Sequence, residues 1–195
     1  MAERKATITR RTKETSVKVE VNIDGSSQAE VTTGIRFFDH MLCQLAQHGI
    51  FNLKISASGS DQHHVVEDVA ITLGRAFNQA LGDKQGIVRM ADATVPMDDA
   101  LAMVALDISG RGQSFIEDAL KEAYISEMHS DLINHFFMSF AAEARINIHA
   151  RVLCGNNDHH KAEALFKALA RALDSATRLD PRITGQIPST KDSID

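Results

Sequence analysis

The chain is poor in the residues that staple or interrupt a fold. Of its 195 residues only two are cysteine, Cys43 and Cys154. Each lies in an apolar segment and neither belongs to a CxxC pair, which excludes a disulfide framework and predicts two reduced, buried thiols. Proline occurs three times, at Pro96, Pro181 and Pro188, each expected at an element boundary. No low-complexity stretch supplies a linker along which the chain could part into independent domains. No apolar run approaches the roughly 20 residues that cross a bilayer. The opening MAERKATITRR lacks the hydrophobic core of a secretory signal, so a cytoplasmic location and no membrane partner are expected. Acidic residues outnumber basic ones 26 to 21, for a net charge of −5, which argues against a general nucleic-acid binder. Against these absences stands a hydrophobic content of 44%, enough to bury the core of one medium domain or two fused small ones.

What the chain does have is a repeat. VVEDVAITLGRAFNQALG after His63-His64 matches KAEALFKALARALDSA after His159-His160 at an offset of 96, both with apolar residues at helical spacing. HMLCQLA from His40 matches HFFMSFA from His135 at an offset of 95. ETSVKVEVNIDG from Glu14 matches DALAMVALDISG from Asp99 at an offset of 85. In that last pair the apolar residues alternate, Val17, Val19, Val21 and Ile23 against Ala102, Val104, Leu106 and Ile108, which is the period of a strand. The rise in offset from 85 to 95 places ten extra residues before the first helix of the second half. Each half reads as a hairpin, a helix, a strand and a second helix, at 5–11, 16–24, 35–48, 51–58 and 63–81, then 88–95, 100–109, 130–144, 146–153 and 159–178. The expected fold is α+β, an internal duplication of a β-β-α-β-α half, each half a sheet with helices packed on one face. The halves, 1–86 and 87–195, are expected to pack as one compact unit.

Histidine carries the chemistry. On a helix, residues i and i+4 share a face while i+1 points about 100° away. In DQHHVVED, His63 and Glu67 can therefore grip one ion while His64 aims elsewhere; His159, Glu163 and His160 repeat this in DHHKAE. Neutral imidazoles with a carboxylate suit zinc, manganese, iron or nickel. One histidine pair at a helix start ordinarily reflects capping or the helix dipole. Recurrence in both halves, with His40 and His135 also at matched places, favours ligation by His40, His63, His64, Glu67, His135, His159, His160 and Glu163. Two ions are the simplest arrangement, and the diverging histidines can bridge subunits. His48, His129 and His149 fall outside the matched set, and His48 ends a helix ahead of a glycine. These residues by themselves leave open a metallohydrolase whose ion-bound water attacks an ester and a non-catalytic assembly cross-linked by metal.

FFDHMLCQLAQHGIF, DQHHVVED, PMDDALAMVALDISGR, HFFMSFAAEARINIH, GNNDHHKAEALFKALARAL and IPSTK, in that order, resemble the imidazoleglycerol-phosphate dehydratase family of histidine biosynthesis. The likeness runs from TKET at 12–15 to Lys191. It implies a lyase that removes water from imidazoleglycerol phosphate to give imidazoleacetol phosphate, with two manganese ions per active site. It also implies a homo-oligomer of 24 subunits whose sites are shared between neighbours. The resemblance places the metal ligands on the eight residues already named and substrate or phosphate contacts on Gln44, Arg89, Arg111, Lys167, Ser189 and Lys191. The catalytic residues it implies are Glu14 and His48. Three departures stand out: a shorter segment between His40 and His63, Asp99 where the family pattern PMDEAL has glutamate, and a tail STKDSID without glycine after the lysine.

The implied reaction makes a specific demand. The hydrogen to be removed is not next to a carbonyl, so a base alone cannot acidify it. A metal-bound imidazolate could expel the hydroxyl from the adjacent carbon and leave a diazafulvene-like intermediate, from which a carboxylate takes the neighbouring proton. Glu14, at a strand end, is the expected base. Arg111, in SGRG, can fork two phosphate oxygens, with Lys191 as a point charge and Ser189 as a hydroxyl donor.

Overall fold

The computed structural model describes residues 3–194. In the first half, β1 (Lys5–Arg11) and β2 (Thr15–Asn22) form an antiparallel hairpin registered Lys5 to Asn22. Val17, Val19 and Val21 of β2 are buried while Lys18 between them is exposed, the alternation of a half-buried strand. β4 (Asn52–Gly59) lies antiparallel to β2, and β3 (Ala29–Thr32) runs parallel to β4 at the edge, giving the order β1-β2-β4-β3. The second half repeats this with β5 (Met90–Met97), β6 (Ala100–Asp107), β7 (Gln113–Glu117) and β10 (Asn147–Cys154), in the order β5-β6-β10-β7. Its ten extra residues include a small hairpin of β8 (Tyr124–Ile125) and β9 (Met128–His129).

The repeat unit is thus β-β-β-α-β-α, one strand richer than the sequence pattern indicates. β3 and β7 are four and five residues long and too short to show a period of their own; each is recruited as an edge by pairing parallel to the longer strand beside it. Elsewhere the expected elements lie within two residues of the observed ones at every end. Pro96 falls inside β5 rather than at its boundary, and it is tolerated because β5 is an edge strand.

Four helices fill the space between the sheets: α1 (Arg36–Gly49), α2 (Gln62–Leu81), α3 (Asp131–Ala144) and α4 (Asp158–Thr177). Helices α1 and α2 cover one face of the first sheet, α3 and α4 one face of the second, and the two helical layers meet with α1 on α4 and α2 on α3. Each half therefore packs its first helix on the second helix of the other half. Phe38, Phe77, Phe136, Phe137, Phe140 and Phe166 are fully buried there, and Phe38 crosses between halves to meet Phe136 edge to face at 5.6 Å. Burial of each such ring contributes about 1.5–3 kcal/mol. Gly74 permits the close approach of α2 to α3, since a Cβ there would lie 2.8 Å from the Phe140 carbonyl oxygen and the Ala144 nitrogen.

The ends of α1 matter for the site. Its N-terminus has no capping side chain of its own; Glu127, in the turn of the inserted hairpin, accepts a hydrogen bond from Phe37 N at 2.9 Å instead. At its C-terminus the left-handed residue is Ile50, at φ 58°, and not Gly49. Gly49 is required for space, because a Cβ would sit 2.2 Å from the Phe51 ring. The cysteines differ from expectation. Cys43 is half-buried and Cys154, at the end of β10, is exposed. Burial, with Asp39 nearby, pushes the Cys43 thiol up and keeps it protonated.

Candidate metal centres and anion cleft

The packing of α1 on α4 and of α2 on α3 builds two clusters, each shared by both halves. His40 from α1 meets His159 and Glu163 from α4: His40 Nε2 is 3.2 Å and His159 Nε2 3.4 Å from Glu163 Oε2. Reciprocally, His135 from α3 meets His63 and Glu67 from α2, with His135 Nε2 3.7 Å from Glu67 Oε1 and the rings of His63 and His135 stacked at 4.5 Å. The i,i+4 pairs of the HHxxE motifs share a helix face, as the spacing indicates, and the third member of each cluster comes from the other half.

The donor sets suit a divalent transition metal. Each offers two imidazoles and one carboxylate whose donor atoms lie within 4.8 Å of one another, fewer than the four to six positions such ions fill, so each leaves room for further ligands. His135 Nε2 is buried without a hydrogen-bond partner among the described residues. A buried imidazole nitrogen left unpartnered costs free energy, and an ion bound by it removes that cost. Burial would by itself push the Glu163 carboxyl up. The Lys167 ammonium, 2.7 Å from Oε1, and His40 outweigh burial and hold it below the usual carboxylate range.

His64 and His160 point away from both clusters. His64 Nδ1 lies 2.5 Å from Asp61 Oδ2, though off the line of a hydrogen bond, and its Nε2 is 3.6 Å from Glu14. His160 Nδ1 is hydrogen-bonded to Asp99 Oδ1 at 2.7 Å, and its Nε2 is 3.5 Å from Asp98. The Asp99 carboxylate is held well below the usual range by Asn156 N–H first, then by His160 and Asn157. Asp61 could have been found in the sequence as a helix N-cap, and its side chain does accept from His64 N. Nothing local in the sequence singles out Asp98 or Asp99 as partners of His160.

His40, Gln44 and His48 recur every four residues along α1 and face α4, where Glu163, Lys167 and Arg171 have the same spacing. Gln44 Oε1 is 3.0 Å from His48 Nε2. Burial, then Lys167 and Arg171, lower the His48 pKa, with Glu163 opposing. The matching track between α2 and α3 is closed by the ion pair of Arg75 with Glu143 at 2.8 Å. On the α1/α4 track, Lys167 is paired with Glu163 and, with Arg171, lies close enough to act on His48; Lys167 belongs to this track, not to the cleft described next.

That cleft, about 670 Å³ in volume, is lined by Arg89, Ser109, Arg111, Ser189 and Lys191 among others. Four of the sequence-predicted phosphate contacts therefore come together. Arg89 is largely engaged, forking Asp107 and donating to the Pro188 carbonyl. Gly110, at φ 82°, turns the chain so that Arg111 projects from the end of β6. The cleft shares no lining residue with either His/His/Glu cluster.

Fold and clusters together define a duplicated α+β protein whose halves jointly build two candidate metal centres. The family model for imidazoleglycerol-phosphate dehydratase matches residues 33–173. The imidazoleglycerol-phosphate dehydratase of Dehalococcoides mccartyi (strain ATCC BAA-2266 / KCTC 15142 / 195) is 60% identical over the whole of both chains. That of Methanothermobacter thermautotrophicus is 54% identical over 98% of each. Among solved structures, the Staphylococcus aureus enzyme superposes with a TM-score of 0.83 at 31% identity, covering 90% of this chain and 99% of that one. The Pyrococcus furiosus enzyme, solved in complex with (S)-C348, gives 0.83 at 34% identity over 95% and 99%. The chain belongs to the imidazoleglycerol-phosphate dehydratase family and is a carbon–oxygen hydro-lyase.

Proposed function

We propose that the protein converts imidazoleglycerol phosphate to imidazoleacetol phosphate and water in histidine biosynthesis, using two manganese ions per active site. The observation that carries this reading is the reciprocal pair of His/His/Glu clusters, His40 with His159 and Glu163, and His135 with His63 and Glu67. Manganese held by these residues would supply Lewis-acid stabilisation of the substrate imidazole in its deprotonated form.

The chain's own groups do the rest. Arg111, Ser189 and Lys191 bind the phosphate, and Arg89 holds the segment that carries the last two. Binding energy from this remote group orients the small substrate. Gln44, His48 and Lys167 on the α1/α4 track contact the substrate beside the first cluster. The substrate hydroxyl next to the ring leaves as water with the proton given up by the ring nitrogen, and Glu14 takes the proton from the neighbouring carbon and returns it to the ring, giving an enol that tautomerises to the ketone. Glu14 closes the β1–β2 hairpin with its side chain 58% exposed and His64, at 3.6 Å, its nearest side-chain partner among the described residues, so it is free to reach a substrate.

His64 and His160 face outward and the cleft lies apart from both clusters. Both observations support an assembly in which one chain's outward histidines and cleft complete a neighbour's site, consistent with a 24-subunit homo-oligomer. The two halves, 1–86 and 87–195, form one catalytic unit in this reading, and its place is the cytoplasm. Incubation with manganese and imidazoleglycerol phosphate should yield the ketone, and chelation should abolish turnover. Glu14→Gln should lower kcat by about 10²- to 10⁴-fold with manganese content unchanged; full activity in that variant, or in the chelated wild type, would sink the proposal.

A further inference from the structure

The two halves meet the same requirement at His64 and His160 in different ways. In the first half the helix N-cap is Asp61, which accepts from His64 N and sets a carboxylate oxygen beside His64 Nδ1. The matched position in the second half is Asn157, whose side-chain oxygen accepts from His159 N and His160 N. This caps α4, but an amide provides no carboxylate for His160 Nδ1. Asp99 provides one from across the β5–β6 turn. Its Oδ2 accepts from Asn156 N at 2.6 Å and Asn157 N at 3.2 Å, and its Oδ1 is 2.7 Å from His160 Nδ1. The residue matched to Asp99 in the repeat is Glu14, which makes no comparable set of bonds. The shorter side chain at 99 has thus taken over the task that the cap performs in the first half.

We infer that Asp99 is a positioning residue that fixes the proton of His160 on Nδ1, so that the Nε2 lone pair faces outward as a ligand. An ionised carboxylate can only accept, so Nδ1, hydrogen-bonded to Asp99 at 2.7 Å, carries the hydrogen, and Nε2, with the Asp98 carboxylate 3.5 Å away and no hydrogen bond to it, is left as the ligand atom. The inference rests on the reading of His160 as a metal ligand given above.

The isosteric variant Asp99→Asn makes a sharp test. Asn156 N and Asn157 N can only donate, so the oxygen of the introduced amide must stay on them, and its NH2 group is then forced towards His160 Nδ1. Nδ1 must become the acceptor and the proton moves to Nε2, while the cap of α4 is preserved. In the full-length protein labelled with 15N-histidine and depleted of metal, solid-state NMR should show a protonated His160 Nδ1 in the wild type and an unprotonated one in Asp99→Asn. The melting temperature should be unchanged. Manganese affinity, measured by titration, should fall about 10- to 100-fold. A His160 Nδ1 that stays protonated in Asp99→Asn, or an unchanged manganese affinity, overturns the inference. His160→Ala separates the two readings: unchanged manganese affinity there overturns His160 as a ligand, whereas the metal-free NMR result judges Asp99 by itself.

Discussion

Arg89 ties the C-terminal segment to the second sheet, its Nη1 donating to the Pro188 carbonyl at 2.7 Å while Nε and Nη2 fork the Asp107 carboxylate at 2.8 and 3.2 Å. Its hydrogen bonds go to protein, whereas Arg111 and Lys191 line the same cleft with no side-chain partner among the described residues. A fork of this kind needs the planar guanidinium, which lysine cannot imitate.

Three substitutions at this cleft should therefore behave differently. Arg111→Ala and Lys191→Ala should each raise KM about 10- to 100-fold, the cost of one or two charge-assisted hydrogen bonds. Arg89→Lys keeps the charge but loses the hold on Pro188, so it should raise KM strongly, as removal of residues 188–195 with Ser189 and Lys191 should. Steady-state kinetics decide this, and an Arg89→Lys enzyme with wild-type KM would show that the anchoring does not matter.

Metal content should follow the two clusters separately. Dialysed against manganese, the wild type should retain two ions per chain, and Glu163→Gln and Glu67→Gln one each, because the amide keeps the shape but not the charge of the ligand. Elemental analysis reads this directly. Retention of both ions by either variant would remove that carboxylate from the ligand set.

The buried pair of Lys161 with Asp158, 2.7 Å apart and each 1% exposed, also pins the inserted loop, since Lys161 donates to the Ala119 carbonyl and Asp158 accepts from Lys121 N and Glu122 N. Lys161→Val leaves a buried carboxylate short of its cation and should cost about 3–5 kcal/mol in denaturant unfolding. The first half carries Gln62 and Val65 at the matched positions. The double variant Asp158→Gln with Lys161→Val should recover a large part of that loss.

His48 should make the folded protein acid-sensitive. Its pKa in the folded state lies below the ordinary value of 6.5, from burial first and then Lys167 and Arg171. A lowered folded pKa means stability that is fully present above about 6.5 and is lost as pH falls through that value towards the folded one. His48→Gln should flatten the melting temperature between about pH 7 and pH 5. The ring is partly exposed, so the effect should be small; an unchanged slope would show that other histidines set it.

The sequence makes much of this legible, for identifiable reasons. Val17, Val19 and Val21 alternate strictly and α2 and α4 keep a helical period over twenty residues each, so local pattern suffices for them. β3 and β7 depend on pairing with β4 and β10, and AEVT and QSFIE show nothing of it. The spacing of His63 with Glu67 and of His159 with Glu163 specifies two faces of ligands. That His135 completes the first and His40 the second depends on which helices meet across the two layers, a tertiary fact with no local signature. Cys154 looks buried because apolar residues precede it, yet β10 ends there and the thiol emerges into solvent.

The exchange of His40 and His135 has the form of an isologous contact, residue i of one unit to residue j of the other and j to i, drawn within a single chain. A lone ancestral half could have assembled two such centres only by pairing with a twin, and fusion would have made that pairing independent of concentration. The fused chain gained a freedom that a twin pair lacks. Its two centres can diverge one residue at a time, as Asp61 and Asn157, Glu14 and Asp99, and His48 and Glu143 already have.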